Sequence, residues 1–232
     1  MKAYVLCGGE GTRLRPYTYK LPKPMLPLGD KPILHYVLAH LKENGIDEAV
    51  LSVGYLKEKI MGHFGDGSSI GMGITYLVEE SPQNTAGALL PEKGRQSGHF
   101  LVTMGDHLTN INLKEMQKSH EKSKATATMA LASYSFKVPY GVVETGRAGT
   151  VKGFREKPEH RYMVNTGIYI LEPEAFDCIK PKDDFAKNVF PRMLREGKKI
   201  NAYSSDAKWL DIGSLNEYEK MKGLFSSGKS PL

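Results

Sequence analysis

Gly8, Gly9 and Gly11 follow directly on a short aliphatic run and are interleaved with charge, in Leu6-Cys7-Gly8-Gly9-Glu10-Gly11-Thr12-Arg13-Leu14-Arg15-Pro16. A backbone without Cβ atoms adopts positive φ and approaches a ligand closely, so several N–H groups can converge on phosphate oxygens. Arg13 and Arg15 add guanidinium forks suited to phosphate, and Lys23 follows between Pro22 and Pro24, which stiffen the backbone beneath its ammonium group. Two aspartates complete the set. Asp106 ends the apolar run Leu101-Val102-Thr103-Met104-Gly105-Asp106, and Asp211 lies in Trp209-Leu210-Asp211-Ile212-Gly213-Ser214, each at a predicted strand end. Magnesium takes oxygen ligands and typically needs only one or two carboxylates besides substrate phosphates, so this pair would suffice for Mg2+, while either aspartate taken alone reads as a helix N-cap or turn residue. A glycine cradle, fixed cations and a carboxylate-held ion are what phosphoryl or nucleotidyl transfer requires, because two anions must be brought into contact.

The glycine segment matches neither of the commoner phosphate-binding patterns. A P-loop has Gly-x-x-x-x-Gly-Lys-Ser/Thr, whereas Gly8 is followed at that spacing by Arg13-Leu14; a dinucleotide fingerprint has Gly-x-Gly-x-x-Gly, whereas Gly9-Glu10-Gly11 meets Leu14 in the third place.

The elements that must carry these residues follow from hydrophobic patterning. Strands are predicted near Lys2 to Cys7, Ala49 to Val53, Ile74 to Val78 and His99 to Met104, with helices between them. Ile33, Leu34, Val37, Leu38 and Leu41 recur at helical spacing and stop at Asn44-Gly45, and a second helix is predicted from Leu56 to Gly65. This alternation implies an α/β fold with a mostly parallel central sheet and helices on both faces. Beyond residue 124 the strand-like runs Ala125 to Ala132, Gly141 to Glu144, Thr150 to Phe154 and Val164 to Leu171 are closely spaced, which predicts a mixed or antiparallel extension. Asp184 to Glu196 and Ser214 to Leu224 read as helices. The organisation expected is one domain over 1–232, with a nucleotide-binding lobe over about 1–124 and a second lobe over about 125–232.

Gly-Gly-x-Gly-Thr-Arg-Leu-x-Pro followed by Pro-Lys-Pro resembles the signature of the sugar-phosphate nucleotidyltransferases, and later motifs extend the resemblance over nearly the whole chain. The resemblance implies a Rossmann-like nucleotidyltransferase fold and transfer of a nucleotidyl group from a nucleoside triphosphate to a sugar 1-phosphate. It places Leu6, Gly8, Gly9, Gly11 and Thr12 on the nucleotide, Arg13 on the departing phosphates and Lys23 on the phosphoryl groups being exchanged. Asp106 and Asp211 become the metal ligands, with Arg13, Lys23 and Asp106 the catalytic set. Glu79-Glu80-Ser81-Pro82-Gln83-Asn84-Thr85-Ala86-Gly87 resembles the base-recognition loop, so Glu79 and Gly87 are expected near the nucleobase. Tyr140-Gly141-Val142, Glu156-Lys157-Pro158 and Asn165-Thr166-Gly167 resemble the sugar side, which gives Gly141, Glu156, Lys157 and Asn165 to the sugar phosphate.

The departures concern specificity. Gln83-Asn84 stands where relatives more often have Leu-Gly, and Met104-Gly105-Asp106-His107 is similar to the inositol-phosphate cytidylyltransferases. For His107, contact with phosphate or metal competes with a histidine turned to solvent or to a backbone carbonyl. Met25 and Phe64-Gly65-Asp66-Gly67 resemble the small guanylyltransferases for mannose or heptose phosphates, so guanylyl transfer to mannose 1-phosphate is the specific expectation. Uridylyl or thymidylyl transfer to glucose 1-phosphate, cytidylyl transfer to a phosphorylated alcohol, and a catalytically silent nucleotide-sugar-binding subunit are the alternatives.

Composition bounds the rest. The net charge of +6 and pI near 9.1 suit polyanionic ligands, yet no interleaving of basic and aromatic residues marks a nucleic-acid surface. No apolar run approaches the roughly 20 residues of a membrane span, and no secretory leader is evident, so a cytoplasmic protein without a membrane partner is expected. Cys7 and Cys178 lack metal-ligand spacing and read as buried thiols. The chain is expected to lack the C-terminal β-helix of some relatives, and a homo-oligomer is compatible with it.

Overall fold

The computed structural model describes residues 1–227. The chain begins with β1 (Ala3–Leu6), and the glycine segment leads from it into three 3-10 turns, Thr12–Leu14, Tyr17–Tyr19 and Lys23–Met25. The hairpin β2 (Pro27–Leu28) and β3 (Lys31–Pro32) precedes α1 (Ile33–Glu43), β4 (Glu48–Val53), α2 (Lys57–Phe64) and β5 (Gly73–Val78). The one-turn helix α3 (Asn84–Gly87), β6 (Phe100–Met104), β7 (His107–Thr109) and α4 (Leu113–Ser123) close the first half. The second half holds β8 (Ala127–Lys137), β9 (Val142–Thr145), β10 (Val151–Arg155) and β11 (Glu159–Leu171). A π-helical turn at Phe185–Val189 then runs into α5 (Phe190–Arg195), followed by β12 (Ile200–Ser204), β13 (Trp209–Asp211) and α6 (Leu215–Ser226).

Seven strands form one sheet in the order β12-β8-β11-β6-β1-β4-β5. The pairs β6–β1, β1–β4, β4–β5 and β12–β8 are parallel, and β11 runs antiparallel to both its neighbours. The expected α/β architecture is therefore present, and the two sequence halves share one sheet through β6 and β11. Successive side chains of a strand point to opposite faces. Ala3 and Val5 accordingly pack with Leu34, Leu38, Ile60, Met116 and Met221 of the helices on one face, whereas Tyr4 packs with Phe176, Phe185 and Phe190 on the other. Cores on both sides explain why the parallel strands read as continuous apolar runs. Each fully buried leucine of α1 contributes roughly 1.5–3 kcal/mol by leaving water.

The stop signal at Asn44-Gly45 works as expected. Gly45 adopts φ +79°, its N–H returns to the Lys42 carbonyl, and the Ile46 N–H returns to that of Leu41. The patterned runs predicted for β8 and β11 were shorter than the strands observed. Their outer halves pair only with each other and carry exposed Tyr134, Phe136 and Tyr162, so the alternation that signals a half-buried strand is missing there. Among the described residues, no helix is long and apolar enough to cross a membrane.

Candidate active site

The glycine segment leaves β1 at the carboxyl edge of the parallel strands, where ligands of open α/β sheets bind. The Leu6 carbonyl accepts from Gly105 N–H at 2.9 Å, and Cys7 N–H donates to the Ser52 carbonyl at 2.8 Å, which ties the segment to β6 and β4. Gly105 is a requirement of this closeness: a Cβ there would stand 2.5 Å from Cys7 Sγ and 3.2 Å from the Leu6 carbonyl. Burial pushes the Cys7 thiol well up, helped by the charges of Asp106 and Glu79, so it is an inert packing group. Gly11, at φ +62°, has Thr18 and Lys23 packed where its Cβ would be, and Gly8 lies against the carboxylate of Glu79. Gly9 is exposed with open space around it, while Thr12 and Arg13 sit on the exposed side of the first 3-10 turn. Arg13 makes no ion pair among the described residues, whereas Arg15 pairs with Glu10 at 3.2 Å.

Beside this segment four charged or titratable groups meet. Lys23, only 8% exposed, directs its ammonium group onto Asp106 and lies 3.4 Å from Asp211 Oδ1. The antiparallel ribbon of β7 and β13 sets His107 directly opposite Asp211, which brings Asp211 to Asp106 across a long stretch of sequence. His107 Nε2 lies 3.4 Å from Asp211 Oδ1 and 3.7 Å from Asp106 Oδ1. Its other nitrogen, Nδ1, donates to the Thr166 carbonyl at 2.9 Å, and Trp209 Nε1–H donates to the same oxygen at 3.0 Å while its ring packs edge-on against the imidazole. Burial pulls the His107 imidazole down, but the hydrogen bond to Asp211 and the charges of Asp106 and Asp211 together lift it above its ordinary value. The same bond from His107, with the charges of His107 and Lys23, outweighs burial at Asp211 and holds its carboxyl down at about 2.

The donor set fits a divalent ion. One ligand atom from each of Asp106, His107 and Asp211 lies within 4.8 Å of the others, and two carboxylates are the hard oxygen donors that magnesium prefers. The attraction of this position for a cation is visible in the Lys23 ammonium group that contacts both carboxylates.

A cleft of about 300 Å³ opens from Asp106 along Leu6, Gly8 and Gly9 to Glu79, Thr85 and Asp184, large enough for a small-molecule site. Glu79 is fixed within it, accepting from Ser52 Oγ at 2.6 Å and from Gln83 N–H at 3.0 Å. Asn84 takes positive φ and donates from its amide to the Lys182 carbonyl at 2.7 Å, and Thr85 Oγ1 donates to Asp184 at 2.9 Å. Gly87 has the Lys182 backbone 2.7 Å from where a Cβ would stand, so its missing side chain is also a packing requirement of the 180–184 segment.

Residues 2–225 match the family model described as nucleotidyl transferase. The chain belongs to the nucleotidyl transferase family. It is 36% identical over 224 residues to a D-glycero-alpha-D-manno-heptose 1-phosphate guanylyltransferase of Aneurinibacillus thermoaerophilus, covering 95% of this chain and 96% of that one. A UTP–glucose-1-phosphate uridylyltransferase of a Synechocystis strain is 33% identical over 247 residues, covering 97% of this chain but 64% of the relative, so the chain spans less than two thirds of that protein's length. In structure, HddC from Yersinia pseudotuberculosis superposes with a TM-score of 0.77 at 23% identity, covering 97% of this chain and 99% of the other, which establishes the same fold.

In this nucleotidyl transferase the remaining expected residues separate into two groups. Gly141 and Glu156 meet beside the hairpin of β9 and β10, where a Cβ on Gly141 would stand 2.9 Å from Glu156 Oε2 and 2.5 Å from the Phe154 ring. Lys157 lies next to them with its side chain exposed, 4.0 Å from Glu156. Asn165 is placed otherwise. It sits in the irregularity of β11 between Asn165 and Tyr169, where its Oδ1 accepts from Gly167 N–H at 2.9 Å and its Nδ2 donates to the Tyr169 hydroxyl at 2.8 Å. The bulge lets Gly167 press on Met104 and His107 and aims the Thr166 carbonyl at His107 and Trp209. The amide is thus engaged in building the site from behind. Sequence reasoning left His107 divided between a ligand role and a backbone partner; the structure shows the backbone partner, the Thr166 carbonyl, and sets Nε2 beside both aspartates. The usable signal was the pair Asp-His and Trp-Leu-Asp on two short strands, but only their register shows that they meet.

Proposed function

We propose that this nucleotidyl transferase joins a nucleoside triphosphate to a sugar 1-phosphate with release of pyrophosphate, and that its preferred pair is GTP with a manno-configured sugar 1-phosphate. The convergence of Lys23, Asp106 and Asp211 at the mouth of the glycine-lined cleft carries the reading of the reaction. The near full-length match to a heptose 1-phosphate guanylyltransferase supports guanine and the manno configuration. Uridylyl transfer is the second reading, supported by the 33% identity to a uridylyltransferase.

The triphosphate lies along Leu6 to Gly11 with its base toward Glu79 and Gly87, and the sugar phosphate docks against Gly141, Glu156 and Lys157. An oxygen of the sugar phosphate attacks the α-phosphorus in line, the bond from that phosphorus to the bridging β-oxygen breaks, and the electron pair leaves with pyrophosphate. The nucleophile is already anionic near neutral pH, so the chain supplies no general base; it supplies position and charge. Lys23 neutralises the phosphoryl groups in contact, and Arg13, free of protein partners among the described residues, takes the departing phosphates. Asp106 and Asp211 would hold Mg2+, which when bound offsets the negative charge gathered on the α-phosphate. His107 holds Asp211 in place, and is itself held by Thr166. The reaction belongs in the cytoplasm, where nucleoside triphosphates are supplied.

The test is a matrix of GTP, UTP, CTP, dTTP and ATP against mannose, heptose and glucose 1-phosphates, followed by pyrophosphate release with and without magnesium. Highest kcat/KM for GTP with a manno sugar is expected. A preference for UTP with glucose 1-phosphate replaces the first reading by the second, and release from none of the pairs overturns both.

A further inference from the structure

Strand β6 has titratable chemistry at both ends. Asp106 and His107 follow its carboxyl end, and His99 immediately precedes its first residue. At this opposite edge of the sheet His99 meets His120 of α4 and Glu172, which follows the last residue of β11, and one ligand atom from each lies within 4.8 Å of the others. The register explains the meeting: Leu171 is paired with Phe100, so Glu172 and His99 leave the sheet side by side. Glu172 N–H donates to the Thr126 carbonyl at 3.0 Å, which anchors the carboxylate's backbone just before β8. The two imidazoles are edge to face with centroids 5.5 Å apart, and Glu121 Oε1, one residue beyond His120, is 3.8 Å from His99 Nε2.

His120 is held as metal-ligating histidines are held. Its side chain is wholly buried, Nδ1 is 2.7 Å from Thr128 Oγ1, and Nε2 is 3.0 Å from Glu172 Oε1. A polar group on one ring nitrogen fixes orientation and frees the second for coordination. Zinc bonds of about 2.0–2.2 Å in a tetrahedron put ligand atoms roughly 3.4 Å apart. The 3.0 Å between His120 Nε2 and Glu172 Oε1 is a few tenths below that spacing, and His99 offers a ring nitrogen within 4.8 Å of the other two ligand atoms. Coordination through Nε2 calls for the tautomer with its proton on Nδ1, where Thr128 Oγ1 stands 2.7 Å away to accept it.

We propose a second metal site in this transferase, of the zinc class, in which His99, His120 and Glu172 coordinate a borderline-soft divalent ion with Glu121 within reach as the fourth ligand. Two imidazoles with carboxylate suit zinc better than magnesium, which distinguishes this group from the aspartate pair at the other end of β6. The five residues of β6 span about 17 Å at strand rise, so an ion here touches no group at Asp106. Its effect is structural, clamping α4 to the ends of β6 and β11.

The experiment strips the full chain with a chelator and titrates zinc into the wild type, His99→Ala, Glu172→Gln and the double variant, reading zinc per chain by equilibrium dialysis and melting temperature with and without zinc. His99 and Glu172 are partly exposed, so these variants keep the fold, which their metal-free melting curves verify; His120→Ala is set aside because it empties a buried site. The wild type is expected to bind one more zinc per chain than the double variant and to gain several degrees of melting temperature that the variants do not. Cobalt is expected to give the wild type a tetrahedral visible absorption that His99→Ala lacks. Equal zinc stoichiometry and an equal thermal gain in wild type and double variant overturn the proposal. None of these readouts depends on nucleotidyl transfer.

Discussion

The carboxyl edge of the sheet and the β9–β10 hairpin are built by opposite means. At the edge, side chains are placed by contact: Gly105 admits Cys7, Gly11 admits Thr18 and Lys23, and Thr166 orients His107. Lys23 and His107 are mostly buried, and each lies against both Asp106 and Asp211. On the hairpin, Tyr140 is 74% exposed, Phe154 64% and the Lys157 side chain 66%. One region fixes its charged groups by packing, and the other presents its side chains to solvent. Transition-state charge is best met by groups that need no reorganisation, which is what the packed edge offers.

The comparison breaks first at the aspartates. Asp106→Ala or Asp211→Ala is expected to lower magnesium-dependent pyrophosphate release by roughly a hundredfold to a thousandfold, as removal of one preorganised electrostatic group does. Variants that melt as the wild type does and still release pyrophosphate at full rate remove the edge from the chemistry. Gly105→Ala comes next. Overpacking against Cys7 and an immovable backbone carbonyl is expected to destabilise by about 1–3 kcal/mol, read in urea denaturation. The equivalent addition at exposed Gly9, with nothing near its Cβ position, is expected to leave stability nearly unchanged, and an equal loss at both positions denies that the edge is packed to limit.

On the hairpin, Lys157→Ala is expected to raise KM for the sugar phosphate about tenfold, a cost of about 1.4 kcal/mol, and to leave KM for the triphosphate unchanged. Equal changes in both constants make the hairpin part of the nucleotide site. The smallest effect sharpens the electrostatics. Asp211 is depressed from 3.8 to about 2, so its contribution is present above about pH 4 and lost as pH falls toward 2. His107 is raised from 6.5, so its contribution is present below that value and lost as pH rises through the higher folded value. The melting-temperature gap between wild type and His107→Gln is therefore expected to be widest between about pH 4 and 6.5 and to narrow on either side. A gap that stays equally wide below pH 4 and above pH 6.5 shows that the imidazole acts by packing alone.

Much of this was legible in the residues. Glycines in a short segment after a strand, proline-flanked Lys23 and strand-end aspartates stand out because each residue type has a local reason to be where it is, and Lys23, Asp106 and Asp211 do meet. The periodicity of Ile33 to Leu41 with Asn44-Gly45 after it located α1 and its end. Exposed strands were less legible: the outer halves of β8 and β11 carry no buried face, and periodicity measures burial rather than pairing.

What the sequence by itself determined is the set of chemical capacities, cradle, cations and carboxylates, and the alternation of elements that implies a mostly parallel sheet. The tertiary structure alone decided who meets whom. Asp211 faces His107 through the register of β7 and β13, and the amide of Asn165 is drawn into the bulge of β11. Local propensity acts over a few residues, whereas strand register is a property of two distant segments and the space between them, so no single stretch of sequence contains it.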